Sequence, residues 1–141
     1  MFVKTAGSID EYVAVHGWDG FRNQESAILH QLHCEETIFD CGGGIIVKES
    51  NRKCLKKLGM IFWLQASVET IKERLSGSYY RPPLTQSHSS IDEVSYKLTQ
   101  RSPLYEECAV HRITTDNKTL EEVSCEIMEE CAHVTMSKAY A

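Results

Sequence analysis

The feature that most constrains the fold is a strand, a helix and a second strand that follow one another between residues 37 and 65. Residues 37–41 are rich in β-forming side chains and end at three consecutive glycines, which is typical of a buried strand that opens into a loop. A helix is predicted from about Glu49 to Leu58, and Gly59 supplies a left-handed stop before a strand over residues 60–65. This β-α-β order predicts a parallel sheet.

The N-terminal part of the sequence predicts two helices. Ser8 and Glu11 have the spacing of a capping box, in which each side chain bonds the backbone N–H of the other residue. The short helix that they start is predicted to stop at Gly17. A longer amphipathic helix is predicted from about Asp19, because apolar side chains recur there at spacings near 3.6 residues. Arg22 then lies in the first turn of that helix.

The C-terminal half continues the alternation of helices and strands. Ser67 is predicted to cap a helix that runs through Leu75, and residues 76–90, rich in Ser, Gly, Pro and Tyr, are predicted to be a mobile lid. A second capping box begins at Ser90, a third strand covers residues 110–115, and Thr119 starts the final helix. The expected architecture is one three-layer α/β/α domain over residues 1–141 with a parallel sheet.

Composition limits the possible partners. The 141 residues are 42% hydrophobic, which is enough for one packed core, and the net charge is -5. An acidic chain of this kind is not expected to bind nucleic acid or an anionic membrane surface. The first eight residues lack the apolar region of a secretory signal, and no apolar run is long enough to span a bilayer. We therefore expect a soluble, cytoplasmic protein.

The six cysteines show no C-x-x-C pair, and several fall within strand or helix patterns, where a reduced thiol behaves as a small apolar group. Reduced cysteines are the preferred interpretation. His30, His33 and Cys34 have a helical spacing that could place three ligands on one face, as in some zinc sites. No matching second pair of ligands occurs, so no metal site is expected.

Three arginines stand beside glycines or prolines suited to small anions: Arg22 follows Gly20-Phe21, Arg81 precedes Pro82-Pro83, and Arg101 precedes Ser102-Pro103. Planar guanidinium forks match the geometry of carboxylate and phosphate groups. The sequence contains no G-x-x-x-x-G-K-[ST] loop, so the usual cradle for a triphosphate is missing from these residues.

Five sequence landmarks occur in one order: Gly17-x-x-Gly20-Phe21-Arg22-x-x-Glu25, Gly42-Gly43-Gly44, Asn51-Arg52, Arg81-Pro82 and Arg101-x-Pro103-Leu104-Tyr105-x-Glu107. In this order and spacing the chain resembles shikimate kinase, a family of the P-loop nucleoside-monophosphate-kinase-like group, from Ser8 through the final helix. The resemblance implies transfer of the γ-phosphate of ATP to the 3-hydroxyl of shikimate, with Mg²⁺, in chorismate and aromatic amino-acid biosynthesis.

The resemblance also implies substrate-binding residues. Arg22 and Arg101 would clamp the carboxylate of shikimate, and the backbone of Gly42, Gly43 and Gly44 would approach its ring because no Cβ obstructs it. The alternative is that Arg22 makes a surface ion pair and that the glycines form an ordinary turn.

Arg81 would be the lid arginine that stabilises charge on the transferring phosphoryl group, and closure of the lid would exclude water. Arg74 and Lys118 match nucleotide-side positions of the family, with Arg74 stacking on adenine. Their alternative interpretation is that both are solvated charges.

The sequence departs from the family pattern at Pro83, at Leu120 and, most of all, at its front. The first strand, the phosphate loop, the next helix and the second strand with its paired aspartates are absent, and residues 1–4 resemble the segment after those aspartates. This predicts a chain that begins at an internal methionine, that has negligible kinase activity alone, and that is poorly stable unless another polypeptide supplies the strand.

Two other functions stay open. The first is a non-catalytic shikimate-binding module that retains Arg22, Arg101 and the glycine loop. The second is another small-molecule kinase, such as a gluconate kinase, which the two arginines disfavour because they suit a carboxylated ring.

Overall fold

A computed structural model describes residues 8–33, 37–76 and 90–139 of the chain. The elements in chain order are α1 (Ile9–His30), a 3₁₀ turn (Ile45–Val47), α2 (Glu49–Leu58), β1 (Phe62–Gln65), α3 (Val68–Ser76), α4 (Ser90–Cys108), β2 (His111–Thr114) and α5 (Leu120–Ala139). No helix within these ranges is long and apolar enough to cross a membrane.

The described residues fall into two compact units. The first unit lies within Met1–Gly59 and Tyr80–Cys108, and the second lies within Met60–Tyr79 and Ala109–Ala141. The expectation of a single domain over residues 1–141 stays a prediction. So does the expectation of a mobile lid over residues 76–90, since most of that segment lies outside the described residues.

In the first unit, α1 joins the two predicted helices across a break. The Ser8 hydroxyl accepts the Glu11 N–H at 3.2 Å, and a Glu11 carboxylate oxygen accepts the Ser8 N–H, so the predicted capping box is confirmed. Gly17 interrupts the helix with φ 67° and ψ 174°, a left-handed φ that glycine adopts without a Cβ clash. The second half of α1 buries Phe21 and Leu29.

The core of the first unit forms around the 3₁₀ turn, which packs against α1, α2 and α4. Ile45 and Ile46 are buried there, and Asn51 is only 1% exposed. The Asn51 amide donates to the carbonyl oxygen of Ile45 at 3.0 Å, which satisfies a backbone acceptor that the turn leaves open. The turn is therefore fixed both by burial and by a side chain of α2.

Helix α2 ends at Leu58 as predicted, but the expected geometry of its end is wrong. Gly59 has φ 162° and ψ -158°, which is extended backbone rather than the left-handed conformation. Its N–H still donates to the carbonyl oxygen of Leu55 at 3.3 Å. The chain therefore leaves the helix by extending directly towards the next strand.

The predicted strand over residues 37–41 is not formed. Residues 37–41 have no strand conformation, and the side chain of Ile38 is 95% exposed. A strand persists only when its N–H and C=O groups pair with a neighbour, and within the described ranges the only sheet is the two-stranded one of the second unit. Local β-propensity alone does not form a strand here.

The second unit is built on a parallel two-stranded sheet, as predicted. Phe62 of β1 lies opposite His111 of β2, and Gln65 lies opposite Thr114. Alternation along the strands buries Trp63 and Ile113 while their neighbours are more exposed. The parallel pairing confirms the α/β class.

Both helices that follow these strands begin at the predicted caps. The Ser67 hydroxyl accepts the Thr70 N–H at 3.2 Å at the start of α3. Thr119 and Glu122 form a capping box at the start of α5, with distances of 3.2 and 2.7 Å. Helix α5 packs on β2 and buries Val123.

Candidate functional site

A cleft of about 400 Å³ opens in the first unit. Helices α1 and α4 supply most of its lining, which combines cationic, acidic and apolar side chains, among them Arg22, Lys97, Arg101, Asp19, Trp18 and Leu104. The tertiary structure thus brings Arg22 and Arg101 to one cavity, although 78 intervening residues separate them in sequence. A cavity of about 300–1,000 Å³ is typical of small-molecule sites.

The Arg22 guanidinium is held by its own helix. Its Nη1 donates to Oε2 of Glu25 at 2.7 Å, and the two side chains are only 20% and 14% exposed. The guanidinium carbon lies 5.0 Å from the centre of the Phe21 ring and 5.8 Å from that of Trp18, both within cation–π range. The ion pair that the sequence offered as an alternative is present, and it is largely buried rather than on the open surface.

Two of the three glycines, Gly42 and Gly44, lie against this arginine and its partner. A Cβ at Gly44 would overlap the guanidinium carbon and both terminal nitrogens of Arg22. A Cβ at Gly42 would stand 3.5 Å from a Glu25 oxygen, which is ordinary contact. Glycine is therefore required sterically at position 44, where the Arg22 fork lies on the backbone.

Gly43 makes the third contact of this turn. Its carbonyl oxygen accepts the Tyr105 hydroxyl at 2.5 Å, and a Cβ at Gly43 would lie 2.8 Å from the same hydroxyl oxygen. Tyr105 belongs to the Arg101 landmark, but no role was predicted for it. Its only sequence signal was its place in that landmark.

Arg52 ties the loop after the glycines to α4. Its Nη1 donates to the carbonyl oxygens of Ile46 and Val47 at 2.9 and 3.3 Å, and its Nε lies 3.0 Å from Oε2 of Glu107. The Arg52 hydrogen bond lowers the pKa of Glu107, and the Lys56 ammonium contributes to the same direction. Arg52 thus holds the 3₁₀ turn against α4, and Asn51 bonds the same turn. Neither role was predicted from the sequence.

Arg74 and Lys118 lie in the second unit, and neither is a fully solvated charge. Arg74 donates to the hydroxyl and the carbonyl oxygen of Thr115 at 2.9 and 2.8 Å. Lys118 donates to Glu126 at 2.5 Å. Both cations are oriented by neighbours at or after the carboxyl end of β2, and their nucleotide roles stay predictions.

The same end of β2 carries an ordered carboxylate, Asp116. Its Oδ1 accepts both the N–H and the hydroxyl of Ser67 at 3.0 Å. Hydrogen bonds from the Thr70 side chain and the Ser67 backbone lower the pKa of Asp116. Asp116 therefore anchors the start of α3 to the loop that precedes α5.

Two other predictions, the lid arginine and the candidate zinc cluster, include residues outside the described part of the chain. Arg81 lies outside the described residues, as does Cys34 of the candidate zinc cluster. The ring of His30 hydrogen-bonds to the carbonyl oxygen of Ser26 at 2.8 Å. Across residues 8–33, 37–76 and 90–139, no three His, Cys, Asp or Glu side chains are grouped so as to hold a metal ion.

The chain is similar to known proteins of one family. The family model described as shikimate kinase matches residues 1–132. Shikimate kinase 2 of Yersinia enterocolitica is 36% identical over 130 residues, which cover 90% of this chain and 71% of that protein. Shikimate kinase from Acinetobacter baumannii, solved in complex with shikimate, superposes with a TM-score of 0.83 at 28% identity, over 94% of this chain and 74% of that one.

A second solved structure supports the fold alone. Shikimate kinase from Bacteroides thetaiotaomicron superposes with a TM-score of 0.78 at 19% identity, over 95% of this chain and 78% of that chain. The family model covers most of the chain, the Yersinia relative is more than 30% identical, and both solved structures share the fold. The chain belongs to the shikimate kinase family.

Proposed function

We propose that this chain takes part in the transfer of the γ-phosphate of ATP to the 3-hydroxyl of shikimate, and that its own contribution is the receptor for shikimate. The observation that carries the proposal is the shared cleft of Arg22 and Arg101. Trp18 and Leu104 supply apolar walls for a ring, and the arginines supply donors for a carboxylate.

In this proposal each group of residues has a separate role in binding the substrate. Arg101 presents its guanidinium to the carboxylate, and Arg22 presents the edge that Glu25 leaves open. The turn of Gly42, Gly43 and Gly44 is not among the residues that line the cleft. Its role in this proposal is to seat the Arg22 guanidinium on the backbone of Gly44, which a Cβ would prevent. Because Arg22 is already held by Glu25, little side-chain freedom would be lost when the substrate binds.

We propose nucleotide-side roles for Arg74, Lys118 and Arg81 as the family resemblance implies. The Thr115 hydrogen bonds that orient the Arg74 guanidinium support a fixed plane on which a base could stack. Mg²⁺ in phosphoryl-transfer sites is held by one or two carboxylates together with the substrate phosphates. The described residues contain no group of three His, Cys, Asp or Glu side chains, and we assign Mg²⁺ to none of them.

We propose further that these 141 residues by themselves turn over ATP and shikimate negligibly. They contain no G-x-x-x-x-G-K-[ST] segment, whose backbone N–H groups and lysine would hold the β- and γ-phosphates. The second candidate function is a binding module that holds shikimate without transferring phosphate. The lack of the G-x-x-x-x-G-K-[ST] segment in these residues favours this function as well.

Separate calorimetric titrations with shikimate and with ATP test these proposals. Shikimate is expected to bind without ATP, and Arg101→Met is expected to weaken that binding at least tenfold, since charge-assisted bonds contribute about 1.5–3 kcal/mol. Arg112→Met is the matched control, because Arg112 lies over the Trp63 ring in the second unit. A chain that does not bind shikimate would contradict the receptor role, and a coupled assay with turnover typical of small-molecule kinases would contradict inactivity.

A further inference from the structure

Lys97 lies in the same cleft as Arg22 and Arg101, although it is not among the sequence landmarks of the family. It precedes Arg101 by four residues on α4 (Ser90–Cys108). Residues four apart on a helix are neighbours on one face, so two cations project together into the cleft. Like charges at this spacing repel each other, and an anion placed between them relieves the repulsion.

No ion pair in the described part of the chain includes Lys97 or Arg101. The ion pairs there join other cations to Glu25, Glu49, Glu107, Glu126 and Glu130. Asp19 is the acidic residue among those that line the cleft, and no ion pair joins it to either cation. The helix α4 side of the cleft therefore carries an excess of positive charge.

Arg22 differs from these two cations. Its Nη1 is bonded to Glu25, and its guanidinium lies on the backbone of Gly44. These contacts neutralise much of its charge and occupy part of its donor capacity. The charge available to an incoming anion is consequently supplied mainly by Lys97 and Arg101.

We propose that Lys97 is a further substrate-binding residue, which acts with Arg101 and the open edge of Arg22 to hold the carboxylate of a small cyclic acid. Arg101 supplies a planar fork, and the Lys97 ammonium supplies a mobile point charge with three donors. Arg22 lies on the glycine turn and adds the guanidinium edge that Glu25 leaves open. The proposal rests on the proposed function only for the identity of the acid, which is shikimate.

The test compares a charged ligand with a neutral one. Shikimate and its methyl ester are titrated by calorimetry into the full chain, into Lys97→Met and into Lys57→Met. Methionine keeps most of the length of the apolar stem and removes the charge. Lys57 is the control because it is an exposed cation of α2, in the same unit.

Lys97→Met is expected to weaken shikimate binding about tenfold, as loss of a charge-assisted bond does. Binding of the methyl ester is expected to stay within about twofold, since the ester has no charge to lose. The dependence of shikimate affinity on salt should become shallower in Lys97→Met and stay unchanged in Lys57→Met. Equal affinity of Lys97→Met and the parent chain for shikimate would overturn the proposal.

Benzoate, a cyclic carboxylate without hydroxyls, separates this inference from the identity of the substrate. If shikimate does not bind but benzoate binds in a Lys97-dependent way, the proposed function fails and the role of Lys97 stands. If neither acid binds, or neither depends on Lys97, the role of Lys97 is overturned. Lys97→Arg is expected to retain affinity within about threefold because it keeps the charge, and circular dichroism verifies that each variant is folded.

Discussion

The hydroxyl of Tyr105 donates to the carbonyl oxygen of Gly43 at 2.5 Å, and this bond joins segments 62 residues apart in sequence. It connects α4, which carries Arg101, to the glycine turn, which supports Arg22. The Tyr105 side chain therefore links the helix that carries Arg101 to the turn on which the Arg22 guanidinium lies. Loss of this bond should change the distance between α4 and the glycine turn and leave the charged side chains of the cleft in place.

Tyr105→Phe should weaken shikimate binding severalfold and lower the free energy of unfolding by about 1 kcal/mol, the usual net contribution of one hydrogen bond. Tyr96→Phe is the control for stability alone, since Tyr96 also lies on α4 and is 61% exposed but lines the cleft. Chemical denaturation and calorimetry measure the two effects. Unchanged affinity and stability in Tyr105→Phe would show that the bond does not hold the turn.

Gly44→Ala should displace the Arg22 guanidinium, because the new Cβ would overlap it. The overpacking should cost about 1–3 kcal/mol of unfolding free energy, and shikimate binding should fall with it. Gly59→Ala is the matched control: nothing lies within 4 Å of a Cβ there, and its φ of 162° is accessible to alanine. Equal melting temperatures for the two variants would contradict the contact.

Arg74→Met should destabilise the second unit, because it removes both donors to Thr115, which is only 7% exposed. An unsatisfied buried carbonyl costs about 1–3 kcal/mol, so the effect should appear in the amide protection of β2. Lys72→Met on the same helix removes the same charge and serves as the control. Equal amide protection of β2 in both variants would show that the Arg74–Thr115 bonds do not stabilise the second unit.

Asp116 should make the second unit sensitive to acid. Its pKa is lowered in the folded chain by hydrogen bonds from the Thr70 side chain and the Ser67 backbone. A lowered folded-state pKa stabilises the fold above the unfolded value of about 3.9, and this contribution is lost as the pH falls through the folded pKa. Acid unfolding measured by circular dichroism should therefore begin below about pH 4 in the parent chain.

Asp116→Asn should remove that part of the acid transition and lower stability at neutral pH. Glu129→Gln, which makes the same charge change on α5, should leave the transition in place. An acid transition of the same size in Asp116→Asn as in the parent chain would assign the acid sensitivity to other groups.

Much of the local structure followed from short patterns. The capping box at Ser8, the cap at Ser67 and the helix start at Thr119 form as predicted, because each depends on residues three apart. Gly17 interrupts α1 for a reason that is equally local. The pairing of the strands around Phe62 and His111 followed from the alternation of strand and helix patterns, which favours parallel neighbours.

The predictions that were wrong or missing concern residues whose conformation or contacts depend on other elements of the fold. Residues 37–41 have the composition of a strand but do not form one, since ladder hydrogen bonds need a neighbour that composition does not supply. Gly59 ends α2 in an extended rather than a left-handed conformation. The roles of Tyr105 and Arg52 were not predicted, because each bonds a backbone carbonyl of another element.

The sequence by itself determined where the helices begin, the parallel strand pair and the family, because these depend on caps, on periodicity and on landmarks in a fixed order. Only the tertiary structure decided that Arg22 lies on the backbone of Gly44 beside Glu25, and that Lys97 and Arg101 share its cleft. The physical reason is that side-chain packing and charge compensation depend on distances in space, which spacing along the chain does not specify.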